Sequence, residues 1–592
     1  MTSASLLRLA VVVLLGSGVA AAQRQPRRQP APQTKPHAAT PYLITGTVVN
    51  SVNDSPVRRC RMTAAPVVRG SFANRQFPAD LDAIDCDEHG HFSVALPSAG
   101  SWRLSASARG FITQAYEEHQ SFSSAIVLTA AKPTMDLQFR ISPEAIINGV
   151  VVDEAGEAVR SAQVSLQSVP APSPGGAQPA GRARSTTRTD DRGMYELTNI
   201  APGAYRILVQ AQPWYAAYQA RRPSSPNPAT PEPSLDPSLD FTYPVTWFPG
   251  VDDPTLAETI SLHAGDTRQA DFHLTPVPSV HLRILPSPAL GNTQNGRSVP
   301  FFPMMVQQII PGSAGQNFTP VSTQTDAQGQ VDVDGLAPGT YRIRLSGGNQ
   351  QNASSIVELT AGSVRTLDPA SPSAETKVTL HFDGVSGSDS ESRPVEINLI
   401  DTDTGRGSFP SNSAGGGGGN FGGRGRRDRG ADPGADRTME VPPGRYEVVL
   451  QGKPELYLTG ITAKGAEAAG RYVTLPGGAS TLTLHLASGR ATVTGVAVFQ
   501  DKPSVGALAL LVPTTIDDPN SLRILRRDQT NSDGSFDLAD VIPGQYILVV
   551  IDHGWEINWS DPSTLRRYLT QGVPVDLASE ANVKQNVNAQ AP

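Results

Sequence analysis

From Tyr42 onward the chain alternates apolar and polar residues in short runs, broken every few positions by Gly, Pro, Asp or Asn. Tyr195-Glu-Leu197, Tyr205-Arg-Ile207-Leu-Val209, Phe536-Asp-Leu538 and Tyr546-Ile-Leu548-Val-Val550 show the pattern. A period of two marks a strand with one buried face, so the sequence predicts an all-β chain of many short strands. Helical periodicity is nearly absent. One short helix is expected from Ser560-Asp561-Pro562, a capping residue followed by Pro in the first turn, to about Leu569.

The strand pattern recurs as a unit. A turn motif reads Asp87-Glu-His-Gly90-His-Phe92, Asp190-Asp-Arg-Gly193-Met-Tyr195, Asp326-Ala-Gln-Gly329-Gln-Val331 and Asn531-Ser-Asp-Gly534-Ser-Phe536. Ten residues after each of these glycines stands another: Gly100, Gly203, Gly339 and Gly544. The second glycine follows Pro in Pro202-Gly203-Ala-Tyr205, Pro338-Gly339-Thr-Tyr341 and Pro543-Gly544-Gln-Tyr546, and the first copy has Ala99-Gly100-Ser-Trp102. Asp or Asn accepts from backbone N–H groups further along the turn, and Gly closes it. Pro-Gly then reverses the chain into a second strand, which predicts a hairpin.

A second piece lies upstream, at Ile44-Thr-Gly46-Thr-Val48, Ile147-Asn-Gly149-Val-Val151 and Val493-Thr-Gly495-Val-Ala497. Gly46 precedes Gly90, and Gly149 precedes Gly193, by the same 44 residues. The unit is therefore a domain of roughly seven short strands, as in a β-sandwich. A degenerate copy fills the gap between the third and last, with Pro443-Gly444-Arg-Tyr446 and a Gly/Arg-rich insert, 405–436, in place of the first turn. The fold class expected is a tandem array of about five Ig-like or prealbumin-like sandwiches: 41–141, 145–276 (with an aromatic and Pro-rich insertion, 212–250), 277–369, 375–488 and 490–592. The linkers between them are short, so limited freedom between sandwiches is expected, within an elongated rod.

Residues 1–22 have the form of a secretory signal peptide: Arg8, an apolar core from Leu9 to Val19, and Ala20-Ala21-Ala22 as cleavage signal, with maturation at Gln23. Residues 23–40 form a Pro-rich basic linker. Export leads to the periplasm, the cell surface or the medium. Its oxidising environment predicts that Cys60 and Cys86, the 2 cysteines of the chain, form a disulfide. A net charge of -7 over 592 residues argues against a dedicated nucleic-acid binder, the Gly/Arg insert included. No later apolar run is long enough for a transmembrane helix in the mature chain.

The Gly-x-Val opening, the Asp-x-x-Gly-x-[Tyr/Phe] turn and the Pro-Gly-x-Tyr motif resemble the carboxypeptidase regulatory-like domain. The resemblance covers the first, second and fifth repeats well and the third in part; the fourth lacks the Asp-x-x-Gly turn. It implies a transthyretin-like sandwich, close to starch-binding-like and Cna B-type modules, in an exported bacterial protein. The recurring residues are turn formers: Asp87, Gly90, Asp190, Gly193, Pro202, Gly203, Asp326, Gly329, Pro338, Gly339, Pro443, Gly444, Asn531, Gly534, Pro543 and Gly544. They specify a fold and not a chemistry.

No catalytic motif is found. Gly-x-Ser-x-Gly, Walker, HExxH and EF-hand patterns are absent, and His89 and His91 stand in a turn that other copies form without histidine. Lys–Asn cross-links of the Cna B type would need a recurrent Lys, and the 7 lysines do not recur at equivalent positions. No metal or cofactor is expected. The candidate ligand-binding residues are aromatic: Trp214, Tyr215 and Trp247 in the second repeat, and Trp555 and Trp559 in the fifth. Exposed rings could stack on sugars or anchor a protein, and the competing reading is that they cover their own sandwich. The function expected is non-catalytic, binding polysaccharide or another envelope protein, with carbohydrate implied by the starch-binding-like resemblance. A passive spacer or assembly component is the alternative, and a cryptic hydrolase or peptidase accessory subunit the second.

Overall fold

A computed structural model describes residues 42–592, except 68–81, 121, 170–182, 217–236, 286–291, 295–296, 300–303, 311–321, 326–329, 347–351, 361–363, 369–375, 385–394, 403–406, 409–435, 452–455, 516–523 and 560. The signal-peptide and linker readings, the Gly/Arg insert apart from residues 407–408 and 436, and the turn at Asp326 and Gly329 lie outside the described residues. The chain is all β, with one short α-helix among the described residues at Pro562–Leu569, where Asp561 caps the N–H groups of Ser563 and Thr564 as expected.

One sheet topology recurs. Tyr42–Asn50 lies between His91–Leu96, antiparallel, and Thr134–Ile141, parallel. Ala145–Val152 has Met194–Ile200 antiparallel, with Thr267–Gln269 and Phe272–His273 parallel. Val280–Ile284 and Thr376–Asp383 are likewise flanked by one antiparallel neighbour and a parallel strand from later in the chain, and Ala491–Phe499 has Ser535–Val541 and the short Lys502–Pro503 antiparallel and two later strands parallel. Facing each of these sheets is another, centred on the strand that follows the second glycine: Gly100–Ser107, Gly203–Gln210, Gly339–Ser346, Gly444–Gln451 or Gly544–Ile551. The apolar residues of each strand pair of sheets meet in a core, such as Ile44, Val48, Phe92, Leu104 and Phe139, or Ile147, Val164, Tyr195, Ile207 and Phe272. His91–Leu96 alternates exposed and buried along its whole length, as a half-buried strand must.

The expected hairpin does not form. His91–Leu96 and Gly100–Ser107 belong to different sheets, and so do the corresponding strands of the other copies. The Pro-Gly motif is thus an arch that crosses the core. Its aromatic residue holds the arch. The hydroxyls of Tyr205, Tyr341, Tyr446 and Tyr546 each donate to the carbonyl four residues upstream, at 2.8, 2.8, 2.7 and 2.6 Å. In the first copy Trp102 Nε1 donates to Ser98 O at 3.3 Å over the same spacing. The rings of Tyr341, Tyr446 and Tyr546 are almost fully buried, so each phenol satisfies its own polar tip inside the core.

The upstream glycine has an equally local cause. A Cβ on Gly46 would stand 2.0 Å from Leu137 O of the parallel strand and 2.9 Å from the Phe92 ring. On Gly149 the distances are 2.0 Å to Ala270 O and 3.0 Å to the Tyr195 ring, and on Gly495 they are 1.9 Å to Gln585 O and 2.6 Å to the Phe536 ring. The aromatic residue of the turn motif therefore lies over the glycine of the first strand, its direct cross-strand partner.

The first and last repeats, some 406 residues apart, are in direct contact. The rod expectation, in which they would be remote ends, is corrected by that contact. Its origin is polar and aromatic, and it is described below.

Gly149→Ala places a methyl group against a backbone carbonyl that cannot move without breaking the parallel strand pair. It should destabilise the protein by about 2–3 kcal/mol. Tyr546→Phe removes only a buried hydrogen bond and should cost about 1 kcal/mol. Urea unfolding of the two variants checks the order, and equal midpoints would contradict it.

Candidate functional site

The turn formers serve the fold. Asp87 Oδ1 accepts from His89 N and His91 N at 2.8 Å each, and Asp190 Oδ1 from Arg192 N at 2.9 Å and Met194 N at 2.8 Å. These amides hold the exposed Asp87 carboxyl below its ordinary range, the bond from His91 most strongly. Gly90 and Gly193 close the turns at φ 77° and 74°, in the left-handed region. Cys60 and Cys86 form a disulfide inside the first core, with Cα atoms 5.1 Å apart. Closing a loop of 26 residues' separation contributes about 3 kcal/mol in the chain-entropy picture. His91 Nδ1 meets Thr47 Oγ1 at 2.9 Å. Among the described residues no group of three or more His, Cys, Asp and Glu side chains is placed to hold a metal ion.

The five candidate aromatic residues separate sharply. Trp247 is 2% exposed and packs with Leu208, Val245, Ala257 and Ile310. Trp555 and Trp559 are each 7% exposed, in a cluster with Leu510, Ile551, Leu565 and Tyr568. Trp555 also donates to Gly506 O at 3.1 Å. None of these three offers a free ring face, which corrects the reading of them as ligand platforms: each covers the outer face of its own sheet. Trp214 is the exception, at 76% exposure.

Trp214 stands on a rigid base. It meets Tyr215 edge-on, with centroids 5.8 Å apart. The Tyr215 hydroxyl donates to Glu154 Oε1, and the Tyr243 hydroxyl donates to Glu154 Oε2 at 2.9 Å. Burial and the Glu154 carboxylate push the Tyr215 phenol up to about 12. Burial opposes ionisation of Glu154, but hydrogen bonds from both phenols and a backbone amide outweigh it and hold the carboxyl below its ordinary range. The result is a projecting indole beside an ionised carboxylate, with both phenols fixed.

A seam joins the first and last repeats. Ser532 N donates to Ala125 O at 2.9 Å, Ala125 N to Asn531 Oδ1 at 3.0 Å, and Val127 N to Ser532 Oγ at 2.8 Å. Ser124 Oγ donates to Thr530 O at 2.8 Å and accepts from Gln529 Nε2 at 3.0 Å. Beside this ladder the Arg527 guanidinium lies 4.2 Å from the Trp559 ring centre, 5.0 Å from Phe122 and 5.9 Å from Trp555, and it donates to Gln120 Oε1 at 2.7 Å. The His119 ring stacks on Trp555 with centroids 5.8 Å apart.

A third cluster sits where the second repeat meets the third. His281 Nε2 lies 2.7 Å from Asp240 Oδ2, and Nδ1 lies 2.8 Å from Asp334 Oδ1. Thr242 Oγ1 donates to Gly335 O at 3.1 Å across the same junction. With a carboxylate at each nitrogen the ring is a doubly charged-bonded imidazolium: Asp334 first, then Asp240, push it up to about 9 against the opposing effect of burial. Both ring nitrogens are taken by carboxylates, one from each side of the junction, so the cluster pins the second repeat to the third. None of this cluster was singled out from the sequence, because the three residues lie in different strands and loops with no recurring spacing.

The paired sheets define tandem β-sandwich modules. Residues 146–275 match the model of the carboxypeptidase regulatory-like domain. Among solved structures, the TIE protein of Bacillus anthracis aligns over 75% of this chain and 73% of its own, at 10% identity and a TM-score of 0.15. The minor pilin of Streptococcus agalactiae aligns over 40% of this chain and 97% of its own, at 7% identity and a TM-score of 0.20. For the shaft pilin of Lactobacillus rhamnosus GG the values are 40%, 97%, 12% and 0.18. Scores this low carry no inference about function. Among curated proteins, none matches the sequence. No helix among the described residues is long and apolar enough to cross a membrane.

The His281 pin fixes a pH dependence. Its pKa is raised on folding, from 6.5 to about 9, so its contribution is complete below pH 6.5 and is lost as pH rises through about 9. Melting temperature should therefore fall over that interval more steeply for the native chain than for His281→Gln. Parallel curves for the two would contradict the assignment.

Proposed function

We propose that this is an exported, non-catalytic binding protein of the cell envelope, whose repeats 41–141, 145–276, 277–369, 375–488 and 490–592 are its domains. The ligand class is carbohydrate, taken at the Trp214 platform of the second repeat. Export is supported by the form of residues 1–22 and by the disulfide, which persists in oxidising compartments. The non-catalytic reading rests on the use already made of the titratable clusters. His281 is bonded at both nitrogens, and Asp87 and Asp190 are spent on turn amides.

The observation that carries the ligand class is the exposure of Trp214, at 76%, on a base of Tyr215 and Glu154. An indole in water is an apolar surface held out at a cost, and the C–H face of a pyranose is a flat surface of matching character. Glu154 lies one ring away and can accept from sugar hydroxyls through its remaining lone pairs. Tyr215 is fixed by its hydrogen bond, so little side-chain freedom is lost on binding.

The test is a polysaccharide panel against the mature chain, Gln23 to Pro592, and against Trp214→Ala. Because Trp214 is exposed, the variant should keep its melting temperature while losing about tenfold or more in affinity. Absence of binding by the intact chain would move the assignment to a spacer or assembly component. Equal binding by the variant would displace the site from Trp214.

A further inference from the structure

The last copy of the turn motif differs from the others in a way its own fold does not need. In the first and second copies the two residues after the leading Asp are Glu88-His89 and Asp191-Arg192, all exposed. In the last copy the residue in the place of Glu88 and Asp191 is Ser532, which is 7% exposed. The leading Asp is replaced by Asn531. In the first and second copies the leading carboxylate accepts from amides of its own turn, but Asn531 Oδ1 accepts from Ala125 N of the first repeat while its Nδ2 donates to Ser535 Oγ at 3.0 Å. The closing of the turn passes to Asp533, which accepts from Ser535 N at 3.0 Å. An ionised Asp at 531 could not donate to Ser535, and a Glu or Asp at 532 would bring a charge into a covered place.

The facing surface is equally specialised. Ser124 is 1% exposed, and its hydroxyl both donates to and accepts from the last repeat. Gln529 and Thr530 are 1% and 0% exposed. The backbone of Ala125 and Val127, at the edge strand Ile126–Leu128, has its free N–H and C=O groups taken up by Asn531 and Ser532. An open strand edge is a template for further pairing, and here a turn of the same chain covers it. Arg527 between Phe122 and Trp559 closes the side of the seam.

We propose that residues 117–120 and 122–127 of the first repeat are a receptor for the Asn531–Ser535 turn, and that this docking joins the first and last repeats within one molecule. The last repeat is the occupant because it alone, among the described copies, carries an uncharged residue at the second turn position and an Asn at the first. The seam blocks the Ile126–Leu128 edge against other chains and couples the unfolding of the two repeats.

Hydrogen exchange on the full mature chain tests this, read at the amides of Ala125, Val127 and Ser532, with mass followed by light scattering. The expected result is exchange at least about tenfold slower than at the exposed amides of Glu88 and Asp191, at a monomer mass and independent of protein concentration. Ser532→Glu installs the charge type that the first and second copies carry at that position, at Glu88 and Asp191, and fold with, so the turn itself is expected to form. It should abolish the protection at Ala125 and Val127 while leaving the Gly495 and Gly46 strands protected. Arg527→Ala, which leaves the turn unaltered, should weaken the same protection. Fast exchange at these amides in the native chain, retained protection in both variants, or protection that grows with concentration because the seam forms between molecules would overturn the proposal.

Discussion

In the first, second and last repeats an aromatic ring from one strand lies across a glycine of its neighbour, and the rest of the sandwich follows from that contact. With Gly46, Gly149 and Gly495 lacking a Cβ, the parallel strand behind can bring a carbonyl to within about 2 Å of where the Cβ would be. Phe92, Tyr195 and Phe536 then fill the vacated space from the antiparallel side. One residue type permits the close approach and the other restores the buried apolar area, which a bare glycine in a strand would forfeit. The register this fixes places the Asp-x-x-Gly turn at one end of the strand. The arch and its hydrogen-bonded tyrosine then carry the chain to the opposite sheet.

Much of this was legible in the residues. The turn chemistry of Asp87 and Asp190, the capped helix at Pro562–Leu569 and the Cys60–Cys86 pair all appear as the local patterns imply. The equal 44-residue offsets were visible too, but not their cause, because ring and glycine are adjacent only once the strands pair. The arch is not legible in the same way. Pro-Gly followed by alternating residues fits both an arch and a hairpin, and what decides between them is the bond from Tyr to the carbonyl four residues upstream. That spacing is present in every Pro-Gly-x-Tyr copy.

The aromatic loops were legible only as a choice between surface and core. Trp555 and Trp559 resolve to core because Phe122 and His119 of the first repeat cover Trp555 and Arg527 of their own repeat covers Trp559, the former a contact no local pattern predicts. A signal is present in the last turn, where Asn531 and Ser532 depart from the charged pairs Asp87-Glu88 and Asp190-Asp191 of the first two copies. Trp247 resolves to core because Ile310 of the third repeat packs on it. Such contacts between repeats, with the His281 pin, use most of the residues that looked available for chemistry. Trp214 is left as the projecting ring, and the functional reading narrows to it.

The chain contains 5 tryptophans, and the account leaves one of them, Trp214, open to solvent, with Trp102, Trp247, Trp555 and Trp559 at 7% exposure or less. Acrylamide quenching of tryptophan emission measures this directly. The expected result is a single accessible class that disappears in Trp214→Ala and is protected by a bound polysaccharide. Quenching of several tryptophans in the native protein, or an accessible class that survives in Trp214→Ala, would contradict both the packing of the repeats and the placement of the site.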